Sequence, residues 1–131
     1  MVETQNQSSK RLLVVEDEAF LRDLYIEILS AEGYQVDSAV DGQDALEKIR
    51  KGGYDLVLLD IVLPKMDGIE ILKEIKKNPP EQPNGAIVML TNLGQEAVIS
   101  EGVSLGVRGH IIKSDYTPEQ LINEVKQILS T

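Results

Sequence analysis

With 131 residues, the chain has the length of one ordinary domain and can bury a core without disulfide or metal staples. It has no cysteine, which excludes disulfides and thiolate metal sites, and no apolar run near the roughly 20 residues that a membrane span needs. The net charge of -9, from 22 acidic and 13 basic residues, leaves no basic patch to neutralise nucleic-acid phosphates. The expectation is a cytoplasmic domain that neither binds nucleic acid directly nor enters a membrane.

Residues 1–10 are polar, lack the apolar core of a signal peptide and read as a short flexible tail before a domain over 11–131. Arg11 to Val15 predicts a buried strand that ends in Glu16-Asp17-Glu18. Phe20, Leu21, Leu24, Ile28 and Leu29 follow at helical spacing, and Gly33 stands where such a helix stops. Tyr34 to Ala39 alternates and is more polar, which suits an edge strand. Asp41 and Asp44 mark a helix start, Ala45, Leu46 and Ile49 give its apolar face, and Gly52-Gly53 close it.

The third strand, Tyr54 to Asp60, is apolar until it ends in a single carboxylate, and the turn-rich stretch Ile61 to Gly68 comes next. Asp60 either caps that turn or sits at the strand end where open α/β sheets bind ligands. Asp67 and Glu70 form a capping-box pattern ahead of Ile71, Leu72 and Ile75. Residues 78–84 hold three of the five prolines and read as a loop. Ala86 to Leu90 is another buried strand, ending at Thr91-Asn92. The helix expected over 95–105 contains Gly102, which costs about 1 kcal/mol relative to alanine and makes it the least stable helix by expectation. Gly109 to Ile112 is a short strand ending at Lys113. Thr117-Pro118-Glu119-Gln120 is a strong start for a final helix, with Leu121, Ile122, Val125, Ile128 and Leu129 on one face.

Strand and helix thus alternate five times, which implies a parallel sheet covered by helices on both faces. In such a sheet the C-terminal strand ends share one edge. That edge would carry Glu16, Asp17, Asp60, Thr91 and Lys113. Three crowded carboxylates repel unless a cation intervenes, and an all-oxygen site suits Mg²⁺. A carboxylate nucleophile, a hard metal ion, a lysine and a hydroxyl are the parts that phosphoryl transfer onto an aspartate requires.

In Val14-Val15-Glu16-Asp17-Glu18, in Asp60 with Pro64 and Met66-Asp67-Gly68, and in Thr91 and Lys113, the chain resembles a response-regulator receiver domain of two-component signalling over residues 11–130. The resemblance implies a flavodoxin-like three-layer sandwich with strand order 2-1-3-4-5. It implies Asp60 as phosphoacceptor, and Mg²⁺ held by Glu16, Asp17, Asp60 and the Val62 backbone carbonyl. Thr91 and Lys113 would contact the phosphoryl group. The donor would be a phosphohistidine on a sensor kinase or a phosphotransfer protein, with the domain acting on itself rather than turning over a separate substrate. No effector segment follows the last helix in this sequence, so a stand-alone switch is expected. Its output would be a partner protein or a homodimer made through the last two helices and the strand between them.

Several positions depart from the commonest family pattern. Glu16 replaces an aspartate. Asn92 follows the threonine where a small residue is usual, and either narrows access to Asp60 or serves as a turn residue. His110 stands at the position of a switching aromatic, so it either moves with Thr91 and adds pH sensitivity or only packs. Ser114 stands where a proline usually follows the lysine. A cis bond before a non-proline costs roughly 2.5–4 kcal/mol, so a trans Lys113–Ser114 peptide is expected. Val62 and Leu93, two past Asp60 and Thr91, are apolar and cannot orient an attacking water, which implies a long-lived phosphorylated state.

Other classes fit less well. A haloacid-dehalogenase-type phosphatase carries its nucleophile in an Asp-x-Asp pattern on the first strand, which Glu16-Asp17-Glu18 lacks. A flavodoxin-like cofactor binder would meet an acidic loop that repels phosphate, and no P-loop motif is present. A receiver fold used as a protein-binding module without phosphorylation is the remaining alternative.

Overall fold

The computed structural model describes residues 10–92 and 95–130; nearly all of the expected tail, and Leu93, lie outside them. Five strands form one parallel sheet: β1 (Arg11–Val15), β2 (Gln35–Ala39), β3 (Leu56–Asp60), β4 (Ala86–Thr91) and β5 (Gly109–Ile112). Their order is β2-β1-β3-β4-β5, with β2 and β5 at the edges. The helices are α1 (Ala19–Ala31), α2 (Gly42–Lys51), α3 (Gly68–Lys77), α4 (Glu96–Ser104) and α5 (Pro118–Leu129). Among the described residues no helix is long and apolar enough to cross a membrane.

The pleat divides the core into two layers. Leu12, Val14, Leu56, Leu58, Val88, Leu90 and Ile111 face the side covered by α1 and α5, with Leu29, Leu121 and Val125. Leu13, Val15, Val57, Leu59 and Met89 face the other side, with Leu46 and Ile49 of α2, Ile71 and Leu72 of α3 and Val107. Alternation of this kind fixes register, because a one-residue slip would exchange the faces. Every residue of β3 is buried, as expected of a central parallel strand.

Local signals act as the sequence implies. Asp67 and Glu70 close a full capping box on α3, and Thr117 and Gln120 do the same on α5 with proline in its first turn. At α2 the exchange is shifted: Asp41 accepts from the Asp44 N–H at 2.8 Å, while Asp44 accepts from the Val40 N–H at 3.2 Å. The Asp44 carboxylate thus serves the N–H of the residue before the cap rather than that of the cap itself.

Three details differ from expectation. Phe20, grouped with the apolar face of α1, lies in its first turn and is 74% exposed. The third strand begins at Leu56, because Tyr54 N–H is taken by the Asn84 side chain at 3.1 Å rather than by a neighbouring strand. Lys113–Asp115 forms a short 3-10 turn after β5. With serine rather than proline after it, Lys113 is free of the steric bias against helical backbone angles. The Lys113–Ser114 peptide is trans, there being no cis bond among the described residues.

Helix α4 is the shortest of the five and has no side-chain N-cap bond. Its glycine has a packing role as well: a Cβ on Gly102 would lie 2.4 Å from Met89 Sδ and 2.6 Å from Met89 Cε. These atoms are the flexible end of Met89, and glycine is a poor helix former, so Gly102→Ala should change the free energy of unfolding by no more than about 1 kcal/mol, the helix gain offsetting the displacement of Met89. Urea unfolding measures this, and a loss of several kcal/mol would show that Met89 cannot move aside.

Candidate functional site

The parallel sheet carries the ends of β1, β3 and β5 to one edge, and there Lys113 joins two acidic residues. Its Nζ donates to Glu16 Oε1 at 2.9 Å and to Asp60 Oδ2 at 2.8 Å. Glu16 is 1% exposed and Asp60 5%. Charges so buried are tolerated when paired and hydrogen-bonded. Asp17 is exposed beside them. Carboxylate oxygens of Glu16, Asp17 and Asp60 lie within 4.8 Å of one another, close enough to share one metal ion. Hard oxygen donors of this kind match Mg²⁺ or Ca²⁺ rather than a softer metal.

The two readings of Asp60 prove compatible. Its Oδ1 accepts from the Val62 N–H at 3.3 Å, as a turn-capping aspartate would, while Oδ2 belongs to Lys113. An open cleft lies above, lined by Glu16, Asp17, Asp60, Val62, Asn92, Lys113 and Ser114, and closed on one side by Leu21 and Tyr25 of α1. Val62 is 61% exposed there.

Thr91 is buried one position past Leu90, the residue paired with Asp60 across β3 and β4. Its hydroxyl donates to the Ile111 carbonyl at 3.5 Å, at the long limit of a hydrogen bond. His110 is brought to β5 opposite Met89 but is exposed and does not line the cleft. Asn92 lines it, with its backbone N–H held by Gln95 Oε1 at 2.8 Å.

Arg22 was not singled out by the sequence, yet it braces the acidic corner. It donates to the carbonyl oxygens of Glu16 at 3.0 Å and Asp17 at 3.3 Å. The available signal was an arginine one turn into the helix that follows the acidic run. Tyr25 is the second such residue, and burial raises its pKa.

Burial pushes the Asp60 carboxyl up from 3.8 to about 6; the Lys113 hydrogen bond opposes the shift and nearby Glu16 adds to it. Burial pulls Lys113 down, but its bonds to Asp60 and Glu16 outweigh that and leave its pKa raised. The ammonium is thus held charged between two carboxylates.

A parallel sheet in this order, with a buried aspartate and a partly buried lysine meeting at its C-terminal edge, places the protein among the doubly wound α/β domains that carry their sites at the strand ends. A family model, the response regulator receiver domain, matches residues 12–126, and the chain belongs to that family. Chemotaxis protein CheY of Thermotoga maritima is 33% identical over 120 residues, covering 91% of this chain and 97% of that protein. A CheY-like receiver domain protein from Methanospirillum hungatei superposes with a TM-score of 0.80 at 31% identity, covering 92% of this chain and 94% of the other. The Thermotoga maritima response regulator TrrA, solved in complex with Mg(2+)-BeF, gives 0.75 at 35% identity, covering 92% and 99%. Other relatives are longer: the chain spans 48% of the Bacillus subtilis transcriptional regulatory protein ResD.

Asp60 binds more protons in the folded protein than in the unfolded chain between pH 3.8 and about 6, so stability falls as pH rises through that window. In metal-free buffer Asp60→Asn should exceed the wild type in stability by at most about 3 kcal/mol at neutral pH. The difference should close below about pH 4. Thermal unfolding across that range measures it, and a variant less stable than the wild type at neutral pH would contradict the raised pKa.

Proposed function

We propose that the domain, taken as residues 11–131, is a switch that accepts a phosphoryl group on Asp60 from a phosphohistidine. The donor would be a sensor histidine kinase or a histidine phosphotransfer protein in the cytoplasm. The observation that carries the reading is the double contact of Lys113 with Asp60 and Glu16, set inside an acidic cluster able to hold a cation.

The chemistry follows from these groups. Asp60 Oδ attacks phosphorus; the new O–P bond forms as the P–N bond breaks, and its electron pair stays on the imidazole nitrogen, which takes a proton. Lys113 keeps Asp60 ionised for attack, and its ammonium then pairs with a phosphoryl oxygen. The Thr91 hydroxyl, only weakly engaged with Ile111, can turn to another. Glu16, Asp17, Asp60 and the Val62 backbone carbonyl are assigned to Mg²⁺, which when bound supplies neutralisation of the charge on the transferred oxygens. The relative solved with Mg(2+)-BeF supports that assignment. Output passes to a partner protein or a second copy through α4, β5 and α5, with Thr91 and His110 as switch residues.

Incubation with Mg²⁺ and a small phosphodonor tests the acceptor. Wild type should gain one phosphoryl group by mass and Asp60→Asn none. Equal labelling would remove Asp60 from the role, and no labelling of wild type would leave a module that binds partners without phosphorylation.

Lifetime gives a second test. Val62 is apolar and lies at the cleft, and neither it nor Leu93 can hydrogen-bond an attacking water. Purified phosphoprotein should persist for minutes or longer, whereas decay within seconds would count against the reading.

A further inference from the structure

The corner between β2 and α2 lies outside the cleft, yet it is built tightly against the loop that leaves Asp60. Gly42 N–H donates to the Pro64 carbonyl at 3.1 Å. Its Cα approaches so closely that an added Cβ would sit 1.7 Å from Met66 O and 2.6 Å from Met66 C. Those are backbone atoms, so a side chain at 42 could be accommodated only by moving the loop. Next to it Asp41, with a side chain only 14% exposed, pairs with Lys65 Nζ at 3.3 Å. Lys65 is the one non-glycine residue of positive φ among the described residues, at φ 70, a conformation that costs a side chain energy unless its surroundings hold it. On the far side, Gly68 N–H donates to the Ile61 carbonyl at 2.8 Å. The loop 61–68 is therefore tied at both ends and gripped in the middle.

We propose that Asp41, Gly42 and Lys65 form a clamp that positions the loop after Asp60 so that its backbone can serve a bound divalent cation. They are positioning residues and touch no reacting atom. The inference rests on the assignment of Asp60 and Val62 to that cation. The Asp44 backbone hydrogen bond, helped by Lys65, holds the Asp41 carboxyl below its ordinary range, so the pair remains charged at neutral pH. The arrangement also links the β2–α2 corner to the acceptor site without passing through the sheet.

The test is direct Mg²⁺ binding by calorimetry on the full chain, beside Mg²⁺-dependent phosphorylation. Gly42→Ala should weaken Mg²⁺ binding at least about five-fold by displacing backbone. Asp41→Asn keeps a competent N-cap but breaks the ion pair, and should weaken binding about two- to three-fold. Lys65→Arg retains the pair and should keep near wild-type affinity. In phosphorylation assays the half-saturating Mg²⁺ concentration should rise in the first two variants, with the maximal rate largely recovered at saturation. Where Gly42→Ala fails to fold by circular dichroism, Asp41→Asn against Lys65→Arg decides. Wild-type affinity in both weakened variants would overturn the clamp while leaving the site reading intact. A wild type without saturable Mg²⁺ binding would overturn both.

Discussion

The Lys113 ammonium is the constraint on which the site depends. Glu16 and Asp60 come from different strands, are almost wholly buried, and would repel if left together. One cation from the end of β5 satisfies an oxygen of each, joining β1, β3 and β5 across the C-terminal edge of the sheet. The pairing is costly in desolvation and adds little to a case for stability. Its value is placement: it fixes the Asp60 carboxylate in an open cleft lined mainly by polar and charged side chains.

Much of the fold was legible because local and global signals agree. The apolar runs, the Asp67 and Thr117 capping boxes and the glycine stops all point to the same alternation of strand and helix. Phe20 was misjudged because helical periodicity reports which residues share a stripe, and a first-turn residue can lie beyond the neighbouring element. The third strand's start was obscured because Asn84, thirty residues away, takes the Tyr54 N–H.

The site was legible to a similar depth. Strand-end counting placed Glu16, Asp17, Asp60 and Lys113 at one edge, where the structure brings them together, because a parallel sheet necessarily carries such ends there; Thr91, expected with them, is buried and does not line the cleft. It could not find Arg22, whose contacts are with carbonyl oxygens, nor the fit of Gly42 against Met66. Both depend on backbone approach, which side-chain patterns do not encode. Gly102 was read as a weakness of its helix, whereas the space it leaves is filled by Met89.

The division of the core by the pleat has a bearing on how the edge can act. Asp60 follows Leu56 and Leu58, which face α1 and α5, whereas Thr91 follows Met89, which faces the opposite layer. The carboxylate and the hydroxyl are thus neighbours along the rim but belong to opposite sides of the sheet. Met89, two residues before Thr91, packs against Gly102 of α4, whereas Leu58, two residues before Asp60, lies in the layer with Leu121 and Val125 of α5. The two strand ends are therefore backed by different helices, and the rim is the one place where both layers of the core come to the same edge.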